Sequence, residues 1–363
     1  IDGASAGVAI MRVGSGGASP EILAAARSSL PIEKRTHERS AALVATALAD
    51  ASHKALLAYG KGEGRGSVSG LYVIARLPWM ETSMFEGSAS YESDTRITDA
   101  LIHDLARDVL AKGRPEKETP AEAQVVAVEL NGYSTNAPKN KLARSMRLAI
   151  LTSDVEPGFR EATEHALGTA FPGLRVLWRS RARAVLGFVR ENVRDARNCL
   201  LVDVSMGGSA LMTIRKGVIE AHAEADEGLQ SMLGDIAGGG MPEETLSMIR
   251  ALETDSCSND ECRRIADALV QTEQRLTRAF GERLSLLAAP RRLPNTLVLL
   301  AAEEILPWLS EFFGRIDFAQ FTTTTLPFSV IAPRVTGHAE GDGAADAQLR
   351  LACALVHSEL RHS

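Results

Sequence analysis

The residues best suited to chemistry lie in one segment, Cys199–Ala223, with the sequence CLLVDVSMGGSALMTIRKGVIEAHA. An apolar run leads to Asp203, and a turn of small residues follows it, Ser205-Met206-Gly207-Gly208-Ser209. Glycines in such a turn let backbone N–H groups point at an anion, and a hydroxyl adds a donor. An aspartate at a strand end can position a divalent cation through water. The pattern predicts a phosphate-binding turn; the alternative is a plain β-turn.

Strands are needed to hold this turn in place. The pattern predicts a meander of three strands, joined by turns at Gly207-Gly208 and Lys216-Gly217, over residues 199–205, 210–215 and 218–223. Helical patterns follow over 229–237, 243–254, 260–280, 281–288, 304–313 and 345–361. A buried strand is predicted at 296–301 and a short strand at 329–335.

The first half of the chain has a different order of predicted strands and helices. Residues 8–13 (VAIMRV) predict a strand, and residues 21–26 fit either a partner strand or a short helix. An amphipathic helix is predicted over residues 40–60. Residues 70–178 read strand, helix, strand, strand, helix, strand, which is typical of a small α+β module. Asp94 or Thr95 is the expected N-cap of the first helix in that module.

Composition narrows the class of protein. The 363 residues carry a formal net charge of −6, so the basic excess typical of nucleic-acid binders is absent and no nucleic-acid partner is expected. The four cysteines are sparse, which favours a reducing cytoplasm, and the pair Cys257 and Cys262 is interpreted as non-metal thiols or a disulfide. The sequence has no apolar run of about 18 residues, so no transmembrane segment is predicted. Residues before Ile1 are expected to be missing.

Four arginines cluster where a strand is predicted to meet a helix. They are interpreted as a solvated face or as salt-bridge partners, and they are Arg175, Arg179, Arg181 and Arg183.

The turn after Asp203 resembles the second phosphate loop of the actin/Hsp70/sugar-kinase superfamily, in which Asp-x-Gly-x-x-Thr lies between two strands. More narrowly, the chain resembles the bacterial FtsA/PilM actin-like group. Its first residues, from Ile1-Asp2-Gly3-Ala4-Ser5 onward, look like the first phosphate loop. The α+β module falls where FtsA and PilM carry their own extra subdomain.

The resemblance implies an α/β, two-lobed actin-like (ribonuclease H-like) ATPase fold with an inserted SHS2-type subdomain. The first-lobe core would span 1–69 and be completed by 179–196, with the insert at 70–178. The second-lobe core would span 197–230 and be completed by 295–344. Residues 231–294 would form its helical subdomain, and 345–363 a C-terminal helix.

The same resemblance implies ATP or ADP with Mg as cofactor, bound in a cleft between the lobes. The implied nucleotide-binding residues are Asp2, Gly3, Ser5, Asp203, Ser205, Gly207, Gly208, Ser209, Gly228, Ala301 and Ala302, with Asp203 holding the metal through water. Ser205 stands where the family usually has glycine. Ala301-Ala302-Glu303-Glu304 replaces a common Gly-Gly turn, which adds methyl groups and negative charge beside an anionic ligand.

The implied function is a nucleotide-binding scaffold that self-associates or tethers a membrane machine, either the division apparatus or a type IV pilus complex. It would be at most a slow ATPase. Its expected partner is a short peptide or cytoplasmic tail of a membrane protein, which would place it at the inner face of the membrane. Two alternatives stay open, a nucleotide-free pseudo-actin interaction module and a small-molecule kinase of the same superfamily.

Overall fold

The computed structural model describes residues 1–2, 5–14, 20–30, 40–62, 66–114, 119–194, 196–238, 242–253, 256, 260–333 and 347–362. Gly3, one of the predicted site residues, lies outside them. Four β-sheets form within the described residues, with two, five, two and four strands.

The five-stranded sheet is the centre of what we call the second lobe. Its strands are β9 (Cys199–Val204), β10 (Ser209–Arg215), β11 (Val218–Ala225), β12 (Thr296–Leu300) and β13 (Ser329–Ile331). Their order is β11-β10-β9-β12-β13, with β9 antiparallel to β10 and parallel to β12. The predicted meander is confirmed. Every residue of β9 is buried, because helices cover both faces of the sheet.

Four helices cover one face of that sheet. They are α5 (Leu229–Ala237), α6 (Pro242–Glu253), α7 (Asp260–Ala288) and α8 (Leu306–Arg315). The two patterns predicted at 260–280 and 281–288 form one continuous helix, α7. Phe280, Phe312 and Phe313 are fully buried where α7 meets α8, with ring centroids 5.0–5.1 Å apart. These contacts anchor the helices on the lobe that carries Asp203.

What we call the first lobe contains two separate strand pairs. Its elements are β1 (Ser5–Arg12), β2 (Glu21–Ser29), α1 (Ser40–Lys61), β3 (Leu71–Ala75), α3 (Pro157–Ala170) and β8 (Val176–Ser180). β1 pairs with β2 in antiparallel fashion, so residues 21–26 form a strand and not a helix. β3 pairs with β8 in parallel. Trp79, Phe159 and Trp178 pack together in this lobe's core.

A four-stranded antiparallel sheet lies between these elements in the sequence. It is built from β4 (Met80–Arg96), β5 (Glu122–Leu130), β6 (Tyr133–Ser134) and β7 (Leu142–Val155), in the order β4-β7-β5-β6. The helix α2 (Asp99–Gly113) packs on it. The N-cap of α2 is Thr98, whose hydroxyl accepts from the Leu101 N–H, so the expectation of Asp94 or Thr95 was wrong. The predicted module 70–178 is thus divided: β3, α3 and β8 pack in the first lobe.

Two helices connect the lobes. They are α4 (Arg181–Asn192) and α9 (Ala347–His362), which pack against each other. α4 contacts β3 and β8, and its Val185, Phe188 and Val189 pack under the five-stranded sheet. Of the described helices, α1 alone is long and apolar enough to cross a membrane. Its Val44, Leu48 and Ala51 are buried in the first-lobe core, which is typical of a core helix.

Candidate functional site

The fold gathers most of the predicted site residues at one end of the second-lobe sheet. β9 and β12 run parallel, and Asp203 lies opposite Leu300 in their register. The loop after β9, Gly228 at the start of α5 and the residues after β12 therefore meet at the carboxyl ends of these strands. This edge faces the first lobe.

The loop at 205–208 is a tight turn closed by its own backbone. The Ser205 N–H donates to the Gly208 carbonyl at 2.8 Å. The carbonyls of Ser205 and Met206 accept from the N–H groups of Leu229 and Gln230, at 2.8 and 3.0 Å. The Ser209 hydroxyl donates to the Glu227 carbonyl at 2.6 Å. The N–H groups of Leu229 and Gln230 at the start of α5 therefore donate within the lobe. The Ser209 hydroxyl, which was predicted to donate to a phosphate, does so as well.

The glycines of this region are explained by close contacts. An added Cβ on Gly228 would lie 2.3 Å from the Gly208 nitrogen, and one on Gly208 would lie 2.8 Å from the Leu77 Cδ1. A Cβ on Gly207 would lie 2.8 Å from the Pro78 Cδ. The segment Leu77-Pro78, which belongs to the first half of the chain, therefore lies directly against the loop.

Asp203 is paired with an arginine. It is 3% exposed, and its two carboxylate oxygens accept from Nε and Nη2 of Arg181, at 2.9 and 3.1 Å. Such a bidentate, charge-assisted pair gives both carboxylate oxygens a partner without a metal ion. Arg181, at the start of α4, also donates to the Gln348 side chain. Asp203, predicted to hold a metal through water, thus has a hydrogen bond from Arg181 on each carboxylate oxygen.

Asp2 shows the same arrangement on the other side of the cleft. Its carboxylate accepts from the Ser5 N–H at 2.7 Å and from the Ser5 hydroxyl at 3.1 Å. Its second oxygen lies 3.3 Å from Nη2 of Arg76. Burial, and then the nearby charge of Arg181, lower the pKa of Arg76. Both acidic residues predicted to face a nucleotide are therefore paired with arginines.

The space beside Asp203 is small, whereas Asp2, Arg76 and Arg181 also line a cavity of about 850 Å³ on the first-lobe side. A cavity of about 20 Å³ is lined by Arg76, Arg181, Asp203, Ser205, His222 and Glu224, together with their neighbours. That is room for about one water molecule. The Ser205 hydroxyl and the His222 Nε2 are buried there without a hydrogen-bond partner. The small cavity beside Asp203 does not accommodate the phosphates of a nucleotide with Mg.

His222, whose side chain is buried, and Glu224, which is partly buried, form a second polar pair at this cleft. Both lie on β11, and His222 Nε2 is 3.8 Å from Glu224 Oε1. Burial lowers the pKa of His222 to about 4. Burial, and less strongly Glu81 and Asp226, raise the pKa of Glu224 to about 7. Glu224 also accepts from the Thr82 N–H of β4 at 3.1 Å, which links the second lobe to the four-stranded sheet.

The turn after β12 contains Ala301 and Ala302, two of the predicted nucleotide-binding residues, followed by Glu303 and Glu304. Ala301 and Ala302 are half-buried and pack on the second-lobe core. The Ala302 carbonyl accepts from Ile305 and Leu306 N–H groups, at 3.2 and 3.1 Å. No side chain caps α8, so Glu303 and Glu304 do not act as caps; Glu304 lies 3.5 Å from Arg250 instead.

Among the described residues, no group of three or more His, Cys, Asp or Glu side chains could hold a metal. Cys262 is disulfide-bonded, in keeping with one of the two interpretations of the cysteine pair, and Cys257 lies outside the described residues. Sequence reasoning missed Arg76, His222 and Glu224 as cleft residues. Arg181 was identified only as a member of the arginine cluster, because no local sequence pattern indicates that the start of α4 faces the end of β9.

The fold is that of the actin-like proteins, two lobes joined across a cleft. The structure matches a chain of the PilM–PilN type IV pilus biogenesis complex with a TM-score of 0.61 and 13% identity, over 99% of this chain and 96% of that one. At that identity the likeness establishes the fold alone. No family model and no curated protein matches the sequence.

Two further structures are far more distant. A Bacteroides thetaiotaomicron protein with an actin-like ATPase fold and unknown function has a TM-score of 0.38 and 8% identity, over 96% of this chain and 91% of that one. The ethanolamine utilization protein EutJ of Carboxydothermus hydrogenoformans has a TM-score of 0.33 and 17% identity, over 56% of this chain and 61% of that one. Neither supports an inference about this chain.

Proposed function

We propose that this chain is an actin-like scaffold of the PilM type, which works through protein contacts and not through nucleotide turnover. The observation that carries the proposal is the buried pair between Arg181 and Asp203, in which the arginine engages the carboxylate that was predicted to hold the metal. The whole-length likeness to a chain of a pilus biogenesis complex supports the choice of PilM over a division protein.

The partner that suits such a scaffold is a short cytoplasmic segment of a membrane protein. The complex that this fold matches contains PilM and PilN. By analogy, this chain would sit at the inner face of the membrane through its partner. Self-association is a separate prediction of the same proposal, and sedimentation of the purified protein measures it.

A second candidate is a nucleotide binder whose lobes separate before Mg-ATP or Mg-ADP enters. Asp203 and the turn that follows it favour this candidate, because they stand at the carboxyl ends of parallel strands, where ligands bind in open α/β sheets. Opening would have to break the pair of Asp203 with Arg181 and move Leu77-Pro78 away from Gly207.

Calorimetric titration separates the candidates. We expect no binding of Mg-ATP, Mg-ADP or glucose to the wild-type protein at millimolar ligand. We expect saturable binding of a peptide copied from the cytoplasmic tail of a membrane protein encoded beside this chain, and none of a scrambled peptide. A micromolar Kd for Mg-ATP or Mg-ADP would favour the second candidate, and binding of glucose with ATP turnover would favour the kinase alternative.

A further inference from the structure

Two carboxylates that are distant in sequence share the same two arginines where β8 meets α4. One belongs to Glu122 at the start of β5, and the other to Glu359 in the last turn of α9. Arg183 binds Glu122 through Nη1, and its Nη2 lies 2.8 Å from Glu359 Oε1. Arg179 Nε lies 2.7 Å from Glu359 Oε1 and 3.8 Å from Glu122 Oε1. Each guanidinium therefore contacts both carboxylates.

Little water reaches these four side chains, and none of them is more than 21% exposed. Buried charges depend on their partners for compensation, because solvent screens them much less than it screens surface charges. Two positive and two negative groups balance each other in this cluster. The loss of either carboxylate therefore leaves an excess of buried positive charge.

The geometry of Arg183 lets the two carboxylates cooperate. Because Nη1 binds Glu122 and Nη2 binds Glu359, neither carboxylate displaces the other from the guanidinium. An arginine side chain loses rotamer freedom when it is fixed in one position, and that loss opposes binding. Once one carboxylate has fixed the guanidinium, the second binds to it with a smaller loss of entropy.

These arginines are the main connection between β5 and α9. β5 packs chiefly on β7, whereas α9 packs chiefly on α4 and β1. The first turn of α9 is held at the same junction, because Arg181 donates to the Gln348 side chain while it pairs with Asp203. A shift of β5 therefore reaches α9 through the guanidinium groups at the junction of β8 and α4.

We propose that the four-stranded sheet and α9 are allosterically coupled through Arg183, with Arg179 as a second contact. When Glu122 moves away with β5, Glu359 binds the arginines less strongly and the last turns of α9 open. Coupling of this kind is reciprocal, so opening of α9 also loosens Glu122. A protein that docks on the four-stranded sheet and moves β5 thereby changes α9, and a ligand of α9 changes the sheet.

Hydrogen exchange tests the coupling in both directions. The Ser180 N–H donates to Glu122 Oε2 at 2.8 Å, so its exchange rate reports on the position of Glu122. Glu359→Gln should raise that rate about tenfold, which is a typical size for coupling between sites. Glu122→Gln should raise exchange in the last two turns of α9 by a similar factor. Unchanged rates in either variant would overturn the proposal.

Glu129→Gln is the matched control, because it removes the same charge from the far end of β5, where Glu129 lies 3.4 Å from Arg147. This variant should keep the wild-type exchange rates at Ser180 and in α9. Equally fast exchange at these places in the control would show a general loosening of the protein, and would count against the coupling.

A double-mutant cycle measures the coupling itself. The unfolding equilibrium constant of the double variant of Glu122→Gln and Glu359→Gln should be about tenfold lower than the two single variants predict if their losses add. Arg183→Lys keeps the charge but offers one ammonium group in place of two separate nitrogens. The same cycle in this background should show little coupling.

Two results of the cycle would overturn the proposal. The first is a double variant whose loss of stability equals or exceeds the sum of the single losses. The second is coupling of undiminished size in the Arg183→Lys background. None of these measurements involves a nucleotide or a peptide, so their outcome is independent of the proposed function.

Discussion

At the scale of single residues, the main feature of the cleft is its buried ion pair between Asp203 and Arg181. Asp203 is almost fully buried, and its partner Arg181 is 11% exposed, so neither group can rely on water. A buried ion pair of this kind adds little net stability, but losing one partner leaves a buried charge that nothing compensates. The pair of Arg181 and Asp203 therefore makes the cleft sensitive to single substitutions.

Arg181→Met should lower the free energy of unfolding by about 3–5 kcal/mol, because Asp203 would stay buried and charged. Asp203→Leu should lower it by a similar amount. The double variant should be clearly more stable than the sum of the two losses predicts, since it buries no unpaired charge. Urea unfolding of the three variants measures this coupling, and strict additivity would show that the pair does not act as a unit.

At the scale of elements, close contacts explain glycines that have no turn to make. Gly87 lies in β4 where α2 crosses it, and an added Cβ would stand 2.1 Å from Cγ2 of the buried Val109. Gly113, at the end of α2, would meet Phe85 of β4 at 2.4 Å in the same way. The helix and the strand can pack this closely because both positions lack a side chain.

Gly87→Ala should therefore destabilise the protein by about 1–3 kcal/mol, because α2 or the Val109 side chain must shift. Gly168→Ala is the matched control, since Gly168 is an exposed helical position of α3 with no atom within 4 Å of the added Cβ. That change should stabilise the protein by up to about 1 kcal/mol. Thermal melts of both variants decide the point, and an unchanged Gly87→Ala protein would contradict the packing argument.

The loop at Gly207 gives a second element-scale prediction. Gly207→Val should press on Pro78 and push the Leu77-Pro78 segment away from the loop, which lowers the melting temperature. Gly207 does not have a left-handed φ, so the effect comes from contact and not from backbone strain. Gly234→Ala, in α5 with open space around it, is the control and should not lower stability. A Gly207→Val protein as stable as the wild type would show that the two segments separate easily.

The elements that sequence could predict are those with a local signature. The β9–β10–β11 meander was predicted because its apolar runs are bounded by Gly207-Gly208 and Lys216-Gly217. The long strand β4 was missed, because its residues are mostly polar and half of them face solvent. Its pairing with β7 holds it in place, and the paired residues are separated in sequence by 46 positions (Arg96 and Leu142) to 75 positions (Met80 and Val155).

The site was predictable to a similar degree. Asp203, Ser205, Gly207, Gly208, Ser209 and Gly228 do meet at one strand edge. Arg181, the partner of Asp203, and Arg76, the partner of Asp2, could not be predicted, since Arg181 begins α4 and Arg76 follows β3. Such contacts depend on how the lobes pack. The assignment of these residues to a nucleotide stays a prediction that titration tests.

At the scale of the whole molecule, buried ion pairs join parts that are distant in sequence. Glu122 at the start of β5 is 5% exposed and pairs with Arg183 of α4, while its carboxylate also accepts from the Ser180 N–H at 2.8 Å. Glu359 of α9 lies 2.7 Å from Arg179 and 2.8 Å from Arg183. The four-stranded sheet, the first lobe and the C-terminal helix are thus held at one buried cluster. Of the arginines predicted as a solvated face or as salt-bridge partners, Arg179, Arg181 and Arg183 form salt bridges, and Arg175 is exposed.

The pKa shifts of His222 and Glu224 predict how the stability of the protein depends on pH through the contact between β11 and β4. His222 has a pKa of about 4 in the folded state, below its ordinary 6.5, so the unfolded chain binds more protons and stability rises with pH between 4 and 6.5. Glu224 has a pKa of about 7, above its ordinary 4.5, so the folded chain binds more protons and stability falls as pH rises from 4.5 to 7. Over the shared window the two slopes oppose each other, and the contribution of the pair should be nearly flat.

Substitution of either residue should reveal the pH dependence of stability that the other residue causes. His222→Gln should leave a protein that loses stability as pH rises from 4.5 to 7, by at most about 3 kcal/mol for the Glu224 shift. Glu224→Gln should give the opposite profile, a gain of similar size between pH 4 and 6.5. Urea unfolding from pH 4 to 7.5 measures both, with Glu92→Gln on the exposed part of β4 as the control that should follow the wild type. If both variants keep the wild-type dependence of unfolding free energy on pH, the predicted pKa shifts of His222 and Glu224 would be contradicted.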